Sequence, residues 1–161
     1  MKRILMMIAF SLLVVSVAAV ADDNPFVGTW KGNLAKSKYS PGPAPKYAST
    51  VTMVPFGSDG LKVTVEGATA KGEKTLITYS AKFDGKESPL TQTGPGAVAG
   101  QTVTLKRIDT NTVERIAYLK GKMLVKEIWV VSKDGKTRTS TQTGTNAQGE
   151  TVNNVVVSER Q

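Results

Sequence analysis

Apolar and polar side chains alternate at every second residue through most of this chain. That rhythm constrains the fold more than any other feature, because a period of two belongs to an extended strand with one buried face. In Leu61–Glu66, LKVTVE, the residues Leu61, Val63 and Val65 share one face while Lys62, Thr64 and Glu66 take the other. In Leu76–Asp84, LITYSAKFD, the apolar face is Ile77, Tyr79, Ala81 and Phe83. The same pattern predicts strands at Ser49–Val54, Thr102–Ile108, Thr112–Leu119, Met123–Val131, Thr137–Thr143 and Thr151–Arg160. With a first strand over Phe26–Lys31 the prediction is nine.

Turn signals fall between these segments: Ser58-Asp59-Gly60, Lys71-Gly72, Asp84-Gly85, Lys120-Gly121, Asp134-Gly135 and Gln148-Gly149. Glycine there supplies the positive φ of tight hairpins. Short links join antiparallel neighbours, so the expected fold class is all-β, an up-and-down meander of eight to ten strands. Such a meander buries its apolar face and protects its edges by closing into a barrel. Two stretches break the rhythm. Tyr39–Lys46, YSPGPAPK, is too rich in proline for helix or central strand and is expected to cross the surface in an extended, polyproline-like form. Thr91–Gly100, TQTGPGAVAG, reads as a glycine-rich loop. The related stretches GATAKGE at Gly67 and GTNAQGE at Gly144 are read as hairpins choosing the same turn residues, with duplication of a hairpin unit as the alternative.

Residues 1–21 have the three parts of a secretion signal: Lys2 and Arg3, an apolar run from Ile4 to about Val17, and Ala19-Val20-Ala21 as a cleavage site. The run is shorter than the roughly 20 residues of a membrane span. The expectation is a cleaved leader followed by one domain over residues 22–161, exported to the periplasm or the medium, without stable membrane insertion and monomeric. Cysteine is absent, so neither disulfides nor an acylated N-terminal cysteine can contribute. The formal charge of +8 includes Lys2 and Arg3. The remaining lysines are spread along strands, which reads as a solvated outer face with at most weak contact to anionic surfaces, and no nucleic-acid motif accompanies them.

Phe26-x-Gly28-x-Trp30 at the head of such a meander resembles the entry strand of the calycins, the group of lipocalins, fatty-acid-binding proteins and avidin-like barrels. The stretch GTWKGNLAKSKYSPGPAPK is similar to small exported lipocalin-like bacterial proteins. The resemblance implies a barrel floor in which Gly28 lets the chain bend, Phe26 and Trp30 help to close the end, and Arg160 on the last strand stacks on Trp30. It stops short of a fatty-acid site of the usual kind. Val156 and Ser158 stand where the Arg-x-Tyr pair of fatty-acid-binding proteins would align, and a proline-rich segment replaces their two helices.

The hairpin around Gly121 fixes one register. A three-residue loop, Lys120-Gly121-Lys122, sets Leu119 opposite Met123, Ala117 opposite Val125, Arg115 opposite Glu127 and Val113 opposite Trp129. A two-residue loop sets Arg115 against Lys126 and Glu114 against Glu127, and like charges directly opposite are unfavourable. The favoured register puts Arg115 and Glu127 on the apolar, inward face. There they are either a self-neutralising pair near the barrel end or the polar orienting groups of a ligand site whose apolar part is lined by Trp129, Tyr79 and Phe83. Arg107, which shares a face with Val103 and Leu105, is a second inward candidate.

With no histidine and no cysteine, the Ser-His triad, the cysteine nucleophile and the commoner zinc sites are excluded. Asp59, Asp84 and Asp134 are explained by turns, and no carboxylates pair as acid and base, so neither enzymatic activity nor a cofactor is expected. The expected function is binding of a small apolar or amphipathic ligand inside the barrel. The alternative is a filled barrel acting through its basic outer face on anionic envelope components.

Overall fold

The computed structural model describes residues 24–161, and the expected leader lies outside them. Ten strands run β1 Gly28–Gly32, β2 Thr50–Pro55, β3 Gly60–Ala68, β4 Lys74–Lys82, β5 Ser88–Thr93, β6 Gln101–Asp109, β7 Thr112–Leu119, β8 Lys122–Val131, β9 Thr137–Thr145 and β10 Thr151–Arg160. Each pairs antiparallel with its neighbours in sequence, and β1 pairs with both β2 and β10, which closes the barrel. The meander expected from the alternation is therefore the fold, with one strand more than the nine predicted segments.

The additional strand is β5. Its sequence, SPLTQT, carries a proline and one buried apolar side chain, Leu90, so it gives almost no alternation signal. It takes Thr91–Thr93 from the stretch read as loop. Four residue pairs join β5 to β4, Leu76↔Thr93 to Tyr79↔Leu90, and three join it to β6, Ser88↔Val103 to Leu90↔Gln101. Above Leu90 the side of β5 toward β6 has no strand partner.

The first strand begins at Gly28, two residues later than expected, and Phe26 lies in the turn before it. Past Gly32 the chain makes one 3-10 turn, Leu34–Lys36, and then continues the ladder along β10. Asn33 N–H donates to the Val157 carbonyl, and Lys38 and Val155 bond reciprocally. The proline-rich segment therefore does more than cross the surface: it leads from this ladder over the barrel mouth to β2, and Tyr39, Pro45 and Tyr47 border the cavity beneath.

The related turns Thr69–Glu73 and Asn146–Glu150 form the same hydrogen-bonded ring. The N–H of Thr69 or Asn146 donates to the carbonyl of Glu73 or Glu150, and the glutamate N–H returns to the Thr69 or Asn146 side chain. At the Pro55–Gly60 turn the positive φ falls on Gly57, not Gly60.

One end of the barrel is packed and the other is open. The core holds Phe26, Trp30, Met53, Leu61, Val63, Ala81, Val103, Leu105 and Val113, all fully buried. At the packed end Trp30 Nε1 donates to the Phe26 carbonyl at 2.9 Å, and the Phe26 and Trp129 rings lie 6.3 Å apart. The Arg160 guanidinium sits 4.3 Å from the centre of the Trp30 ring. Its three nitrogens donate to the carbonyls of Gly135, Val27 and Pro25, each at 2.6 Å. Gly28 has φ 137°, and a Cβ on it would stand 2.5 Å from Arg160 Nη1, so both its conformation and its lack of a side chain are required.

Candidate functional site

The β7–β8 hairpin turns on two residues, Lys120 (φ 51°) and Gly121 (φ 77°), with Leu119 opposite Lys122 and Tyr118 opposite Met123. This differs from the expected three-residue loop. Leu124 is then an extra residue, a bulge that restores Ala117 opposite Val125 and Arg115 opposite Glu127. The bulge swings Met123 outward, to 53% exposure, and Leu124 inward, the reverse of the expectation for Met123. It also explains Gly144 opposite Val125: φ is 135°, and a Cβ there would strike the Leu124 carbonyl.

Arg115 and Glu127 thus face inward from adjacent strands, and Nη1 donates to Oε1 at 2.5 Å. Arg115 Nε donates to Tyr79 Oη on β4 at 3.1 Å. The other Glu127 oxygen accepts from Trp129 Nε1 at 2.8 Å and from Ser140 Oγ on β9 at 3.0 Å. These bonds decide how the pair sits in the interior. Burial alone would raise the Glu127 carboxyl pKa, but the Arg115 charge and the donors Trp129 and Ser140 outweigh it and hold it below the ordinary value. Burial would likewise lower the Arg115 pKa, and Glu127 with Tyr79 overcomes it, so the guanidinium stays charged. The Tyr79 phenol is pushed up to about 12, chiefly by burial.

A cavity of about 350 Å³ opens above this network. Its apolar wall is Val51, Val63, Val65, Ile77 and Trp129, and its polar base is Tyr79, Arg115, Glu127, Arg138 and Ser140. A second space of about 530 Å³ shares Arg115, Glu127, Ile77 and Gln142 with it and opens past Pro95 and Gln148. There the Gln148 side chain donates to the Gly96 carbonyl and ties the loop after β5 to the β9–β10 turn.

Of the residues singled out from the sequence, Tyr79, Arg115, Glu127 and Trp129 converge on the cavity. Phe83 and Arg107 do not line it. Phe83 lies past the end of β4, toward the packed end of the barrel, and the half-buried Arg107 guanidinium covers its ring at 4.0 Å. They belong to the closure of the barrel.

Arg138 also faces the cavity, and the sequence around it carries no signal of that. It is 4% exposed, and its guanidinium carbon lies 6.0 Å from the Trp30 ring centre and 5.4 Å from that of Trp129. Its segment, TRTSTQTGT, is polar on both faces, so alternation cannot say which side is inward. The pairing of β9 with β8 could have found it: Val131 is inward, and Arg138 lies directly opposite.

The chain matches no family model, no curated protein and no solved structure. The site's chemistry therefore has to be argued from its own residues. No group of three carboxylates able to hold a metal ion occurs among the described residues, and none of their helices is long and apolar enough to cross a membrane. What the arrangement offers is a pocket with an apolar wall and with donors fixed at one end.

Proposed function

We propose that this protein binds one small amphipathic molecule in its barrel, apolar part against Val51, Val63, Val65 and Trp129, polar end toward Tyr79 and the Arg115–Glu127 pair. The observation that carries this reading is the cavity itself, which reaches from the mouth to a buried polar network. A barrel working only through its outer face has no need of such a space, and outer lysines are partly neutralised, as in Lys126–Glu114 and Lys36–Glu159. Those glutamates lie on β7 and β10, separated by two strands and engaged with different lysines, which favours binding over catalysis.

Kinship with the calycins is part of the same proposal. The Phe26, Gly28, Trp30 and Arg160 floor supports it, while the ten strands exceed the eight of lipocalins. With the leader-like N-terminus, the reading places the protein outside the cytoplasm as a free carrier or scavenger.

Titration of the purified protein with the neutral probe N-phenyl-1-naphthylamine, followed by displacement with a lipid extract, tests it. The expected result is saturable one-to-one binding that Val63→Trp, which fills the cavity, removes. Absence of saturable binding by the native protein sinks the proposal.

A further inference from the structure

The charged side chains lining the cavity are Arg115, Glu127 and Arg138. Glu127 is already committed to Arg115, Trp129 and Ser140. Arg138 is in none of the ion pairs formed among the described residues, and its Nε is buried without a hydrogen-bond partner. Directly opposite it on β10, Ser158 Oγ is also buried and unpartnered. The two tryptophan rings beside Arg138 offer the faces of their π systems, which compensate a desolvated guanidinium only in part. Burial lowers the Arg138 pKa to about 10, which still leaves it charged at neutral pH. The cavity therefore carries one positive charge without a counter-ion.

An apolar chamber with an uncompensated guanidinium at its base is complementary to a molecule that is apolar along its length and singly negative at one end. We propose that Arg138 holds the head group of a monoanionic amphiphile, a carboxylate on an apolar tail, with the Arg115–Glu127 pair orienting it rather than neutralising it. This rests on the reading that the barrel binds an amphipathic molecule at all, and it specifies the class. Tyr79 accepts from Arg115, which frees its own hydrogen to donate to the second oxygen of such a head group.

Calorimetric titration of the native protein with decanoate, decanol and decylamine separates the two levels. Decanoate is expected to bind one-to-one, at least about tenfold tighter than decanol, as a charge-assisted hydrogen bond in a dry site requires, with decylamine weakest. Arg138→Met should bring decanoate to the level of decanol while decanol binding persists, and Arg138→Lys should restore the preference. If the native protein binds decanol as tightly as decanoate, the anionic class is wrong and the binding function stands. If it binds none of the three, both are overturned. The comparison within the native protein decides the matter even where a variant fails to fold.

Discussion

Arg160 and Trp30 fasten the two ends of the described chain to each other. The guanidinium lies 4.3 Å from the ring centre, and all three of its nitrogens end on backbone carbonyls, of Gly135, Val27 and Pro25. One side chain on the last strand thus holds the turn before β1, the β8–β9 turn and the floor tryptophan together. Arg160→Ala leaves those carbonyls without their donor and is expected to cost about 2–4 kcal/mol in urea unfolding. Gly28→Ala, strained at φ 137° and pressed against Arg160, is expected to cost about 1–3 kcal/mol. Because both changes disturb the same contact, the double variant should lose less than the two separate losses combined.

Arg115 and Glu127 are mutually dependent. Glu127→Gln leaves a buried guanidinium without its counter-charge, and a loss of about 3–5 kcal/mol is expected. Replacing both, as Arg115→Met with Glu127→Leu, removes the two desolvation penalties together and should come within about 1–2 kcal/mol of the native protein. Equilibrium unfolding of the native protein, Arg115→Met, Glu127→Leu and the double variant measures the coupling; a double variant as unstable as Glu127→Leu alone contradicts it.

The Glu127 carboxyl also sets a dependence on pH. Its folded pKa lies below the ordinary 4.5, so between those two values the unfolded chain binds the proton and the folded one does not. The stabilisation is complete above the unfolded value and is lost as pH falls through the folded one. Urea midpoints measured from pH 6 downward should therefore fall in the native protein, and fall less in Glu127→Gln.

Tyr79 works at the opposite end of the scale. Its phenol is pushed up to about 12, against 10 in an unfolded chain. In an ultraviolet titration of the folded protein, part of the phenolate absorbance of the four tyrosines should appear only near that pH, and Tyr79→Phe should remove it. Since unfolding releases the Tyr79 proton above pH 10, this residue makes the fold less stable as pH rises beyond that point.

Lys120 occupies the left-handed region at φ 51° in the β7–β8 turn, where asparagine is favoured. Lys120→Asn is expected to raise stability by about 0.5–1 kcal/mol in thermal or urea unfolding, with no change in ligand binding.

What the sequence disclosed follows from where its two faces differ. Leu61, Val63 and Val65 against Lys62, Thr64 and Glu66 leave one orientation for β3. Across β7 and β8, charge repulsion selects the pairing of Arg115 with Glu127 although the loop has two residues and not three, because the Leu124 bulge compensates for the shorter turn. The signal fails where both faces are alike. In β9 threonines alternate with Arg138, Ser140 and Gln142, so the inward arginine looks no different from a solvated one. Phe83 and Arg107 share faces with cavity residues but lie too near the closed end to reach the space. Alternation reports a face and carries no information on height along the barrel.

Three rungs between β5 and β6 make a narrow seam, whereas the three of β1 and β10 are extended by the Asn33–Val157 and Lys38–Val155 bonds. Amide deuterium uptake should run ahead there, at Gln92, whose N–H is directed toward β6 beyond the last rung, while the long β3–β4 and β9–β10 ladders stay shielded. A cylinder with so lightly stitched a flank can part along it and reclose without melting its floor, and under the proposed binding function a bulky guest would have a side door there as well as the rim.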